Sequence, residues 1–140
     1  MGFYPGNFPV QVNLTQGVKL GGVAVTSSAA ELNLSDKETQ TIAADGAITI
    51  KNGVCVISKT VPGVVAATLA DPVDVTDNFK RLTIINGTAH ASTVTSASSF
   101  GGGGAGEDVA TFSGVAGDTL NLLAYGGKWY VTGVHQCTIA

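Results

Sequence analysis

Hydrophobic and polar residues alternate most regularly towards the end of the chain, where AGDTLNLLAYGGKWYVTG turns on Gly126-Gly127. A two-residue primed turn there pairs Tyr125 with Lys128, Ala124 with Trp129, Leu122 with Val131 and Asn121 with Thr132. Each pair matches in polarity, so the turn and the alternation select the same register. Leu120, Leu122, Trp129 and Val131 then share one face and are the predicted core anchors of a hairpin. Trp129 is the single tryptophan, and its truncation to Ala is expected to cost roughly 3 to 5 kcal/mol. Leu123 and Tyr130 pair on the opposite face, which must be covered by a second sheet layer or by another subunit.

The same patterning continues upstream. AITIK, Asn52-Gly53 and VCVISK predict a second hairpin that sets Ile50 opposite Cys55 and Ile48 opposite Ile57, with Val54 and Val56 facing outward. These four inner residues are further predicted core anchors, and Cys55 reads as a packed thiol. A strand is expected between Pro62-Gly63 and Asp71-Pro72. FKRLTIING followed by TAHASTVT predicts a third hairpin around Asn86-Gly87, with His90 opposite Thr83. EDVATFSG alternates like one more strand. The run from Gly101 to Gly106 contains the letters of a dinucleotide fingerprint at Gly101, Gly103 and Gly106, but a strand pattern follows it where that site needs a helix. It reads as a flexible loop spanning on the order of 12 to 15 Å.

Before residue 46 the pattern is different. Phe3, Tyr4, Pro5, Phe8 and Pro9 lead into Val10, Val12 and Leu14 and then Gly21-Gly22, which predicts an extended arm with one short strand. Ser28 and Glu31 have capping-box spacing ahead of Leu32 and Leu34, predicting a short helix. The expected organisation is therefore an N-terminal arm and short helical segment over residues 1–45 and an all-β, antiparallel sandwich over 46–140.

Composition agrees with that class. The 140 residues include 44% hydrophobic and 12% charged residues and 19 glycines, a balance suited to short strands and tight turns. One domain is expected from the length. A formal net charge of -3 with seven scattered basic residues argues against a nucleic-acid partner. No basic, apolar leader and no run of 18 apolar residues is present, so neither secretion nor a membrane partner is expected. Cys55 and Cys137 are accordingly expected to be reduced.

Chemistry is sparsely signalled. His90 and His135 stand outside any nucleophile motif, and the two cysteines and two histidines lack zinc-ligand spacing. Asp71, Asp74 and Asp77 lack the alternation and turn glycine of a calcium loop and read as a solvated loop. Glu107 and Asp108, adjacent on a strand, point to opposite faces and cannot act as a glycosidase pair. Triplets at Asn13, Asn33 and Asn86 would be glycosylated only in a secreted eukaryotic protein. A non-enzymatic role without metal or cofactor is expected.

Two segments carry a resemblance. AVTSSAAELNLSD is similar to phrases that precede the β-domains of phage head and tail appendages, and ATFSGVAGDTLNLLAYGGKWYVTG resembles the closing hairpin of small capsid decoration proteins and head fibres. Together they cover a little over a quarter of the chain. The resemblance to tailed-bacteriophage decoration (cement) or head-fibre-like proteins implies a small sandwich, often jelly-roll-like, that forms homodimers or homotrimers on the outer capsid surface after assembly in the bacterial cytoplasm. Its partner would be the major capsid protein, whose neighbouring subunits it fastens. Phe3, Tyr4, Phe8, Val10, Val12 and Leu14 would make capsid or subunit contacts by adding an extended strand to a neighbour, together with Leu123 and Tyr130, unless the arm folds back on its own domain. The alternative is a head or tail fibre tip that binds a host-cell receptor or glycan.

Overall fold

The computed structural model of the protein describes residues 19–20, 23–24, 37–59, 61–101 and 106–140. In chain order its strands are β1 (Lys19–Leu20), β2 (Val23–Ala24), β3 (Glu38–Ile42), β4 (Gly46–Ile48), β5 (Gly53–Ile57), β6 (Ala66–Leu69), β7 (Arg81–Asn86), β8 (Thr93–Ser96), β9 (Val109–Phe112), β10 (Asp118–Tyr125), β11 (Lys128–His135) and β12 (Cys137–Ile139). No helix occurs among the described residues. The expected capping box at Ser28 and Glu31 lies outside them. β1 and β2 form a two-stranded antiparallel pair. The other strands make two five-stranded sheets, ordered β11-β10-β7-β5-β3 and β12-β9-β8-β6-β4.

Both sheets are mixed, which corrects the wholly antiparallel expectation. β3, β5 and β7 run parallel in the first sheet, and β4, β6 and β8 run parallel in the second. Parallel neighbours need a crossover, and here each crossover is a strand of the opposite sheet. The chain winds from sheet to sheet through β8, and antiparallel pairing of β9, β10, β11 and β12 closes the arrangement. β3 is part of the first sheet, so the sandwich begins before residue 46.

Two predicted hairpins are replaced by this winding. β4 and β5 belong to different sheets, so Ile48 neighbours Leu69 of β6 rather than Ile57. Gly53 is needed for a different reason than a turn: a Cβ there would lie 1.9 Å from the Glu38 carbonyl oxygen, and its absence lets β3 lie against β5. Asn86-Gly87 likewise turns a corner. The buried Asn86 side chain donates to the His90 carbonyl at 2.9 Å and accepts from Thr88 Oγ1 at 2.9 Å, and the Gly87 amide donates to Ile57. This loop delivers the chain to β8 in the other sheet, so His90 does not face Thr83.

One hydrophobic cluster lies between the sheets. Cys55, Ile57, Leu82, Ile84, Leu120, Leu122, Ala124 and Trp129 enter it from the first sheet, and Ile48, Ala67, Leu69, Val94, Ala110 and Phe112 from the second. Trp129 also finds a partner for its indole N–H in the Ala70 carbonyl at 2.9 Å. Ile50 packs against the cluster but is only partly buried.

The closing hairpin has the expected register near its turn, with Tyr125, Ala124, Leu123 and Leu122 opposite Lys128, Trp129, Tyr130 and Val131. Positive φ angles of 57° and 72° at Gly126 and Gly127 are those a primed turn requires. Further on, a bulge shifts Asn121 from Thr132 to Gly133. Val131, expected in the core, is 37% exposed. The reason is its place on an edge strand: β11 forms the border of the first sheet and leaves the core after Trp129.

Candidate functional site

Among the described residues, a densely hydrogen-bonded surface joins the turn of the closing hairpin to the loop over residues 71–80. Asp71 Oδ1 accepts from the Ser98 hydroxyl at 2.7 Å and from its amide. Asp74 Oδ1 accepts from the Val75 amide at 2.8 Å and from Asn78 Nδ2 at 3.1 Å. Asp77 receives the Val73 amide on one oxygen at 2.7 Å and Lys80 Nζ on the other at 2.6 Å. Burial of Asp77 pushes its carboxyl upward, but the bonds from Lys80 and Val73 outweigh this and hold it below its ordinary value. The loop is tied to the hairpin because Asn78 Oδ1 accepts from the Gly126 amide and Phe79 donates its amide to Ala124.

These aspartates fix the loop from within, and its apolar side chains are turned out. Val75 is 82% and Phe79 64% exposed, with Val73 and Tyr125 also exposed beside them. The rings of Phe79 and Tyr125 lie 5.6 Å apart. Val75 and Phe79 hold φ angles of 72° and 69°, a left-handed conformation that costs an L-residue about 1 to 2 kcal/mol. Strain of this kind persists only where the surroundings impose it, and it gathers at functional sites. At the other end of the sandwich Val61, Val64, Val115 and Val134 are exposed as well; none of them has a positive φ, and the one left-handed non-glycine residue described there is the polar Gln136, at 48°.

The second feature is the outer face of the first sheet. Val54 neighbours Thr83, Val56 neighbours Ile85 and Arg81 neighbours Leu123, while Leu123 pairs with Tyr130. Val54, Val56, Ile85 and Leu123 are half-buried and Tyr130 is 37% exposed. Gly101 rests against this edge: its amide donates to the Trp129 carbonyl, and a Cβ on it would meet the Tyr130 ring at 2.9 Å. The second sheet covers the inner face, not this one, so the covering layer expected over Leu123 and Tyr130 is not the other sheet.

No protein-family model matches this chain, and no curated protein does.

Both thiols are free and buried. Burial raises Cys55 to about 11; burial and the neighbouring Asp118 charge raise Cys137 to about 11, far from a reactive thiolate. No group of three metal-ligating side chains occurs among the described residues. His135 is exposed at the end of β11, and the His90 carbonyl serves Asn86.

Of the predicted contact residues, Leu123 and Tyr130 are brought together as a cross-strand pair. Phe3, Tyr4, Phe8, Val10, Val12 and Leu14 lie outside the described residues. Sequence reasoning missed Val73, Val75, Phe79 and Tyr125. The available signal was the interleaving of apolar residues with aspartates in DPVDVTDNF, since a loop that is merely solvated has no need of valines and a phenylalanine.

Proposed function

We propose that the protein is a structural virion protein that binds the outside of an icosahedral phage capsid and cements neighbouring major-capsid subunits. The observation that carries this reading is the exposed Val73, Val75, Phe79 and Tyr125 cluster: Tyr125 ends the first strand of the hairpin that resembles that of decoration proteins, and the other three sit on the loop hydrogen-bonded to that hairpin. Apolar residues held in strained conformations outside the core lose contact with water only in a complex, and a preorganised surface loses little entropy on binding. The N-terminal arm, with its short helical segment, supplies the second contact in this reading, and homodimers or homotrimers multiply both by avidity. The jelly-roll-like order implied by the resemblance requires antiparallel Greek keys. The coil of β3 to β8 departs from that order, so the proposal rests on the surface rather than on the topology.

The test is rebinding. Purified protein added to phage shells that lack it should saturate and raise their melting temperature. Replacing Phe79 and Tyr125 together by Ser should weaken binding by about tenfold or more, the loss of two aromatic anchors, with little change in the protein's own stability. A saturated shell with an unchanged melting temperature would sink the cement reading.

A further inference from the structure

We propose that the outer face of the first sheet docks an acidic segment of a partner protein, seating one carboxylate between Lys37 and Arg81. A concavity of about 190 Å³ on this face is lined by Lys37, Asn52, Gly53, Val54, Arg81 and Thr83. Neither of its two cations has an ion-pair partner among the described residues. Elsewhere Lys51 pairs with Glu38 and Lys80 with Asp77, Lys59 donates to the Val64 carbonyl at 2.9 Å, and Lys128 stands alone on an exposed strand end, outside this concavity. Lys37 and Arg81 meet no carboxylate among the described residues, although acidic residues outnumber basic ones ten to seven in the chain. Two like charges gathered in one concavity repel each other, and an anion placed between them removes that cost.

The shape and the surroundings select the ligand. Arg81 is the single arginine, and its planar fork matches a carboxylate in a way that a lysine ammonium does not. At about 190 Å³ the concavity falls below the roughly 300 to 1,000 Å³ of small-molecule sites and suits the tip of one side chain. Beside it, on the same face, stand Val54, Val56, Ile85, Leu123 and Tyr130. An apolar row with an arginine and a tyrosine at its border is the composition of a protein interface. The strands of the second sheet offer no equivalent. They carry no basic residue, and Ala47, Ala66, Thr68, Thr93 and Thr95 form much of their outward face. Docking on this face is independent of what the 71–80 loop binds.

The test uses the full chain, labelled with nitrogen-15, and an end-blocked peptide Thr-Val-Glu-Val-Thr followed by NMR. Saturable shifts are expected at the amides of Val54, Arg81, Thr83 and Leu123. The double variant Lys37→Gln, Arg81→Gln should bind at least about tenfold more weakly, as should the peptide with Gln in place of Glu, and salt at about 0.5 M should weaken binding further. Both replaced side chains are solvent-facing, and an otherwise unchanged spectrum would show the variant to be folded. Equal binding of the Glu and Gln peptides, undiminished binding by the double variant, absence of saturable shifts on this face, or acetate binding as tightly as the peptide would each overturn the proposal. Because no capsid shell takes part, these outcomes are separate from those of the rebinding experiment.

Discussion

At the scale of single residues, several of the buried polar groups hold loops, although the Ser96 hydroxyl and Asp118 Oδ1 find no partner among the described residues. Asp118 is 1% exposed, with one oxygen accepting from the Ser113 hydroxyl at 2.8 Å and the Val115 amide at 3.2 Å. Burial raises its pKa, but these bonds and the nearby backbone amides prevail, leaving it below the ordinary 3.8. A carboxyl depressed in the folded state contributes stability above its unfolded pKa and loses it as pH falls through the folded value. Stability should therefore be flat near neutrality and decline below about pH 4. Asp118→Asn should destabilise the protein at pH 7 and reduce that acid slope, with Asp77 supplying the remainder because its shift has the same sign. Urea melts across the pH range measure both effects, and an unchanged slope in the variant would contradict the assignment.

At the scale of elements, the decisive contact is the approach of β3 to β5. Gly53→Ala places a methyl group 1.9 Å from the Glu38 carbonyl, a backbone atom that cannot swing aside. The cost should be roughly 2 to 4 kcal/mol by urea unfolding. Gly46→Ala is the control: nothing lies within 4 Å of the added methyl group, so its effect should stay within about 0.5 kcal/mol. This pair of glycines also shows what could be read from the sequence. Strands β4 to β11 are visible as alternation, and the closing hairpin is visible with its register, because a two-residue turn leaves its partner strand no choice. Asn52-Gly53 and Asn86-Gly87 show the same reversal signal, yet there the chain crosses to the other sheet. An inward-facing residue such as Ile48 satisfies its alternation equally well in either sheet, so periodicity could not tell a hairpin from a coil. The exposed cluster was hidden for a related reason: patterning identifies residues that face a core, and Val75 and Phe79 face none.

At the scale of the whole molecule, winding between sheets sets the order in which the fold can assemble. Each parallel pair in β3-β5-β7 and β4-β6-β8 forms only after the intervening chain has crossed the core, so loop-closure entropy precedes any gain from pairing. β10 and β11 escape this constraint, since two glycines join them and Trp129 lies on their inner face. The hairpin is thus the natural nucleus, with β7 the first long-range strand to add through its pairing with β10. Folding should take on the order of milliseconds to seconds, as in other proteins dominated by non-local contacts. Gly126→Val imposes a β-branched residue at a φ of 57° and should mainly slow folding, whereas Gly53→Ala, acting on an edge strand that adds late, should mainly speed unfolding. Stopped-flow chevrons of the two variants separate these effects. If Gly126→Val instead changed only the unfolding limb, the hairpin would be a late ornament of the sandwich and the coil of β3 to β8 its starting point.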